Sequence, residues 1–220
     1  MYIIILGAPG AGKGTQAENI ARQMKLEHIA SGDLFRQTVE RGNELGGRLK
    51  ECMKKGMLIP DEITIKMILK RLTFDNNNNG ALLDGFPRNL KQAKALDKAL
   101  KEKDKVIDKA LFIRVSEEEL TRRLISRRVC RQCQMPDQAS TEIMGEQEKC
   151  KHCGGDLYRR ADDNLKTIKQ RLRVYFSETL PVIEYYKRQG KLVEVNGEGS
   201  IEIITTKILN SLQKREFVEK

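Results

Sequence analysis

At 220 residues the chain can bury a full core as one domain with inserts. An apolar share of 39% and a charged share of 33% describe a soluble, highly charged globular protein, and no stretch approaches the roughly 20 apolar residues of a membrane span. The net charge of +10 suits a nucleic acid or a polyphosphate equally, so only its placement can choose between them. Tyr2-Ile3-Ile4-Ile5-Leu6 is a β-branched apolar run that predicts a strand buried on both faces. It starts at residue 2 and runs into a glycine-rich turn, so no signal peptide is expected and a cytoplasmic location is.

The turn is Gly7-Ala8-Pro9-Gly10-Ala11-Gly12-Lys13-Gly14-Thr15, followed by a helical stretch from Gln16 to Met24. Strand, glycine turn, lysine and helix make a phosphate cradle: backbone N–H groups curl around the anion, the helix start adds partial positive charge, and Lys13 adds a full one. The common pattern places a hydroxyl directly after the lysine; here Gly14 stands there and Thr15 comes one residue later.

Glu27-His28-Ile29 predicts a short second strand, with His28 read as structural. Ser31 is expected to cap a helix running to Arg41. A further helix spans about Glu44 to Lys55, with Cys52 read as core, and Gly56 ends it. Leu58-Ile59-Pro60 is extended, and Asp61 is expected to cap a helix to about Leu72. The run 75–80 is a surface turn. Ala81-Leu82-Leu83-Asp84 is the third strand, and Gly85-Phe86-Pro87-Arg88 lies past its carboxyl end, where open α/β sheets bind ligands.

A helix follows from Asn89 to Lys101, then a fourth strand, Ala110–Val115. Ser116 with Glu119 reads as a capping box for a helix carrying Arg122, Arg123, Arg127 and Arg128. Arg123 and Arg127, at i and i+4, share one face; Arg122 and Arg128 are read as solvent-facing. Residues 129–158 read as irregular. A long helix from Asp162 to Lys187 is kinked or broken at Pro181. Lys191–Val195 is the fifth strand, and a last helix runs from Ser200 to Lys214 ahead of a mobile tail.

Strands alternating with helices predict an α/β, doubly wound, five-stranded parallel sheet of P-loop type. Two inserts break the rhythm: a helical pair at 30–59 and a cysteine-bearing stretch at 126–163. Both are expected to follow strand ends and overhang the phosphate loop. Residues 1–29, 60–125 and 164–220 form the core domain.

The insert carries Cys130-x2-Cys133 and Cys150-x2-Cys153, the spacing of a closed four-thiolate structural metal site, zinc ahead of iron or cobalt. His152 could replace a thiolate, but the two pairs already supply four ligands. A zinc knuckle on a basic protein raises the alternative of a nucleic-acid module. Residues 126–163 hold seven Lys/Arg against seven Asp/Glu and a single aromatic, Tyr158, so neither the charge nor a stacking platform supports it, and no specific nucleic acid is expected.

The phosphate loop, then Ser31-Gly32-Asp33-Leu34-Phe35-Arg36, then Leu83-Asp84-Gly85-Phe86-Pro87-Arg88, then Arg160-Ala161-Asp162-Asp163 stand in order and together resemble the adenylate kinases in their long-lid, metal-binding form. The resemblance covers residues 1 to about 212. It implies reversible transfer of the γ-phosphoryl group of Mg-ATP to AMP, giving two ADP, by a monomer. By resemblance, ATP meets Gly10, Ala11, Gly12, Lys13, Gly14, Thr15, Arg123, Arg127 and Gly199. AMP meets Ser31, Arg36, Met57, Leu58, Ile59, Gly85, Phe86, Pro87, Arg88, Gln92, Arg160 and Arg171. Arg160 and Arg171 clamp the transferring group, and Asp84 with Asp33 holds magnesium through water. Lys13, Arg88, Arg123, Arg127, Arg160 and Arg171 are then the catalytic set. Asp162 reads equally as a lid residue or as a helix cap.

The residue chemistry agrees: in-line transfer between two nucleotides needs no protein nucleophile, only positioning, charge cancellation and exclusion of water. The lid departs from the family pattern, with Gln134-Met135-Pro136-Asp137 where an aromatic-His segment and paired prolines are usual. A kinase for UMP or CMP is the neighbouring alternative; the long lid and Gln92 point to AMP.

Overall fold

The computed structural model describes residues 1–72, 79–133, 136–138, 149–160 and 162–213. Residues 75–78 of the expected turn, Gln134 and Met135 of the departing lid segment and the tail after residue 213 lie outside them. In chain order the elements are β1 (Tyr2–Leu6), α1 (Lys13–Met24), β2 (Glu27–Ala30), α2 (Ser31–Glu40), α3 (Glu44–Lys55), α4 (Asp61–Arg71), β3 (Ala81–Asp84) and α5 (Leu90–Lys101). Then come β4 (Lys109–Arg114), α6 (Glu117–Ser126), β5 (Arg127–Cys130), β6 (Pro136–Gln138), β7 (Leu157–Tyr158), α7 (Leu165–Val174), a π-helical turn (Tyr175–Thr179), α8 (Leu180–Lys187), β8 (Leu192–Asn196) and α9 (Ile201–Gln213).

The central sheet is wholly parallel, in the order β2-β3-β1-β4-β8. β1 is buried along its whole length, and the two-residue period of a strand explains why it can be apolar throughout. Ile3 and Ile5 enter one core with Ala17 and Ile20 of α1 and Ile204 and Ile208 of α9. Tyr2, Ile4 and Leu6 enter the opposite core with Ile68, Leu96 and Val182 of α4, α5 and α8. A smaller cluster of Phe35, Leu49 and Ile59, with Cys52 packed against it, holds the α2–α3 pair together.

Several local expectations are corrected. Ser31 does not cap α2; Ala30 does, and the Ser31 hydroxyl donates to Gly85 O at 2.9 Å. Pro60, not Asp61, caps α4, because the Asp61 carboxylate is engaged by α5. Ser116 caps α6 without a side-chain bond, and no capping box forms: its N–H donates to Glu198 while Glu119 turns to Arg122 and Arg123. Asn164 starts α7 by accepting from Thr167 N at 3.0 Å, which rules out a cap role for Asp162.

The long helix divides at a π-helical turn ahead of Pro181, which sits at the start of α8 where its missing N–H costs nothing. The stretch expected to be irregular forms a small antiparallel sheet, β6-β5-β7. That sheet departs from the end of α6 and not from a strand end. Arg127 therefore belongs to β5 and shares no helix face with Arg123.

Candidate active site

The phosphate loop leaves β1 at the centre of the sheet, and α1 starts at its far end. Gly12 caps α1 in the left-handed region, at φ 84°, which is the conformation glycine adopts without penalty. The Arg123 guanidinium lies over this point: a Cβ on Gly12 would sit 3.8 Å from Arg123 Nη1. Gly10 passes close under α6, where a Cβ would come 2.9 Å from Leu120 O. Ala11 is packed into the core, so only the backbone of that residue faces the loop. Gly14 and Thr15 occupy the first turn of α1, and a Cβ on Gly14 would come 3.5 Å from Asp84 Oδ2. Lys13 Nζ donates to Gly7 O and Ala8 O, both at 2.9 Å. Desolvation pulls its pKa down to about 8, with Arg88, Arg171 and Arg127 assisting and Asp84 opposing.

Asp84 ends β3 beside this lysine. Desolvation alone would raise its pKa, but His28, Lys13 and Arg88 outweigh that and hold it below the usual carboxylate range. His28 is the partner that sequence reading missed. β2 pairs with β3 in register, Ala30 opposite Asp84, and this sets His28 Nε2 3.9 Å from Asp84 Oδ2. Only the pairing of two sequence-distant strands brings these groups together. Desolvation would lower the imidazole pKa; Asp84, Glu18 and Asp33 raise it instead.

Two adjoining pockets share Gly56, Leu58, Gly85, Arg88 and Arg171 and form one cleft beside the loop. Gly7, Pro9 and Lys13 bring the loop into its floor, and Met57, Leu58, Ile59 and Gln92 line its outer part. Gly85, at φ 75°, leaves room that a side chain would take from the Ser31 hydroxyl, 2.6 Å from its Cβ position. Ser31 is fully buried, and its hydroxyl serves the Gly85 carbonyl. Phe86 packs into the core beneath the cleft, while Pro87 lines it. Arg88 Nε donates to Gly85 O at 2.9 Å, and its own carbonyl accepts from Thr179 of the π-helical turn at 2.9 Å. Desolvation and Arg171 both lower the Arg88 pKa.

Arg36 pairs with Asp33, so Asp33 is engaged within α2. Arg127 and Arg171 converge on Asp163, which is completely buried; Arg127 Nε meets Oδ2 at 2.7 Å and Arg171 Nη1 meets Oδ1 at 3.2 Å. Arg171 also reaches Asp162 Oδ2 at 2.9 Å. Arg160 is the exception: its buried Nε finds no acceptor among the described residues. Desolvation, with Arg36 and Arg127 close by, pushes its pKa down to about 10. Gly199 follows β8 in a loop fastened to this side of the cleft, where Arg123 Nη2 donates to Gly197 O at 3.0 Å and Glu198 accepts from Ser116 N at 2.9 Å. Arg122, by contrast, stays on the surface with Glu119.

The arrangement gathers buried cations beyond what its carboxylates neutralise, around a glycine loop and next to an apolar slot. Comparison with known proteins decides what it is for. Residues 5–191 match the family model for adenylate kinase. The chain belongs to the adenylate kinase family. An adenylate kinase of Dehalococcoides mccartyi is 50% identical over 97% of this chain and 99% of its own length. One of Carboxydothermus hydrogenoformans is 45% identical over 97% of this chain and 100% of its own. One of Alkaliphilus oremlandii is 43% identical over 96% and 98%. These similarities favour neither a pyrimidine-nucleotide kinase nor a nucleic-acid module.

In this adenylate kinase family member Cys130 ends β5, and Cys133, Cys150 and Cys153 lie outside the strands of the small sheet. Their sulfurs lie within 4.8 Å of one another, with Cys130 and Cys153 3.4 Å apart and Cys133 and Cys150 3.6 Å apart. A tetrahedral ion with Zn–S bonds of about 2.3 Å would hold its sulfurs about 3.8 Å apart, so the donor set fits a metal. Each pair is knuckled by a backbone N–H to sulfur, Gln132 N to Cys130 and His152 N to Cys150, both at 3.4 Å. His152 takes part through its backbone. Among the described residues no helix is long and apolar enough to cross a membrane.

Proposed function

We propose that the cleft brings ATP and AMP end to end and passes the terminal phosphoryl group between them, giving two ADP, reversibly. The observation that carries this is the cation cluster itself. Lys13, Arg36, Arg88 and Arg171 line the cleft against one lining carboxylate, Asp162, and burial lowers the pKa of Lys13, as expected of a site completed by polyanions.

Gly10, Ala11, Gly12, Lys13, Gly14 and Thr15 cradle the ATP phosphates, with Arg123 and Arg127 at their flank and the Gly199 loop beside the base. Arg36 and Arg88 hold the AMP phosphate, each through a planar fork suited to phosphate oxygens. The AMP base enters the slot of Met57, Leu58, Ile59 and Gln92. Arg160 and Arg171 stabilise the charge that spreads over the transferring group. Ser31, Gly85 and Phe86 shape the AMP site through backbone and packing. Magnesium, arriving with ATP, supplies charge neutralisation at the phosphates; Asp84, with Asp33 nearby, would hold it through water.

Residues 30–59 and 126–163 act as two flaps on the core of 1–29, 60–125 and 164–220, closing to exclude water. The metal of the four-cysteine site, zinc by donor preference over iron or cobalt, holds the second flap folded and takes no part in chemistry, since four thiolates leave no open position. The enzyme works as a cytoplasmic monomer. Incubation with ADP and Mg²⁺ tests the reading: ATP and AMP should appear together in equal amounts. ATP without AMP, or neither, would refute it.

A further inference from the structure

We infer that Asp61 is a specificity-determining positioning residue, which locks the Gln92 amide in one orientation and so admits a 6-aminopurine monophosphate while refusing a 6-oxopurine one. This deepens the phosphotransfer reading above and rests on it.

Gln92 is 1% exposed and borders the slot between Phe35, Met57, Leu58, Ile59 and Thr64. Its Oε1 accepts from the Arg88 backbone N–H at 2.8 Å, and its Nε2 donates to Asp61 Oδ1 at 2.8 Å. A backbone N–H only donates and a carboxylate only accepts, so the two partners dictate which end of the amide is oxygen. Flipping it would set donor against donor and acceptor against acceptor in a buried place. Asn89 braces the arrangement: its Nδ2 donates to the same Asp61 oxygen at 2.8 Å, and its Oδ1 accepts from Gln92 N at 2.9 Å. Lys91 Nζ stands 4.0 Å from the other Asp61 oxygen.

With these bonds made, the amide keeps one acceptor position and one N–H for a ligand. Adenine offers an N6–H donor beside a ring-nitrogen acceptor, which matches. Hypoxanthine and guanine present O6, an acceptor, where the donor is required. A glutamine free to rotate would suit either class; a locked one reads only the first. The lock also shares the Arg88 backbone, so base reading and the phosphate-binding arginine are built on one hydrogen-bonded unit.

The test is the ratio of kcat/KM for AMP to that for IMP, with ATP as donor, in wild type, Asp61→Ala and Asp61→Asn. Wild type should prefer AMP strongly. Asp61→Ala should narrow the ratio by about tenfold or more, chiefly through KM. Asp61→Asn keeps a carbonyl oxygen able to accept both N–H groups and should retain selectivity within about threefold. Melting temperatures are read alongside; if Asp61→Ala does not fold, Asp61→Ser gives the same comparison.

Equal loss for both acceptors, or an unchanged ratio in whichever of the Ala and Ser variants folds, would overturn the assignment and leave Asp61 as a brace for α4 and α5. A wild-type enzyme using IMP as well as AMP would also overturn it while leaving phosphotransfer intact. Activity with neither acceptor would remove the parent reading and this inference together.

Discussion

Asp163 is wholly buried and accepts from the Arg127 guanidinium with both carboxylate oxygens. These residues sit where the chain enters and leaves the small sheet, 36 positions apart. Removing one partner of a buried pair strands the other charge, at a cost of about 3–5 kcal/mol. Asp163→Ala should therefore lose unfolding stability of that order in urea titration. It should also lower kcat/KM for ATP on the order of 10²-fold, because Arg127 and Arg171 are no longer aimed. Wild-type kinetics in a folded Asp163→Ala protein would show that the pair does not position the arginines.

Lys13 behaves differently because its ammonium is held at a cost. Its pKa falls from 10.5 to about 8 on folding. Between those values the unfolded chain binds the proton more readily, so the group's penalty is fully present below pH 8 and is relieved as pH rises through that window. Lys13→Met should consequently melt at or above the wild-type temperature near neutral pH while turnover falls by roughly 10³-fold or more. Turnover within about tenfold of wild type would remove the lysine from the chemistry.

The same shift predicts a pH profile. The ammonium binds phosphate and the amine does not, and kcat/KM reports the free enzyme. kcat/KM for ATP should decline above about pH 8, and Lys13→Arg should move that decline upward. A profile that stays flat to about pH 10 would contradict the assignment.

Metal removal should separate folding from chemistry. The small sheet has little apolar packing among the described residues beyond Val129, and the thiolates lie at metal-binding spacing. Stripping the metal with a chelator should lower the melting temperature more than it lowers turnover at about 25 °C. Immediate loss of activity, with amide exchange across 127–130 and 157–158 still protected, would argue for a catalytic metal.

Much of this was legible in the sequence because it is local. The apolar run of β1, the glycine turn and Lys13 are contiguous, and the metal set follows from two Cys-x-x-Cys pairs. What escaped depends on pairing between distant segments. Asp61 reads as a helix cap until α5 brings Asn89 and Gln92 against it. His28 has no partner until β2 aligns with β3. Arg123 and Arg127 carry a helical spacing, yet the chain turns into strand between them, with Ser126 the last helical residue. Glu119 satisfied the capping-box pattern, but its ionic bonds to Arg122 and Arg123 are charge-assisted and outcompete a neutral backbone contact.

The junction at Ser126 and Arg127 has no spacer: one residue ends α6 and the next begins the small sheet. A guanidinium mounted on a pivot travels least when a door swings, and Arg127 is tied through Asp163 to Arg171 of α7. On the proposed reading, opening would leave that positive charge standing beside the donor phosphates while solvent returns. An ajar enzyme would thus keep its grip on ATP until an acceptor arrives.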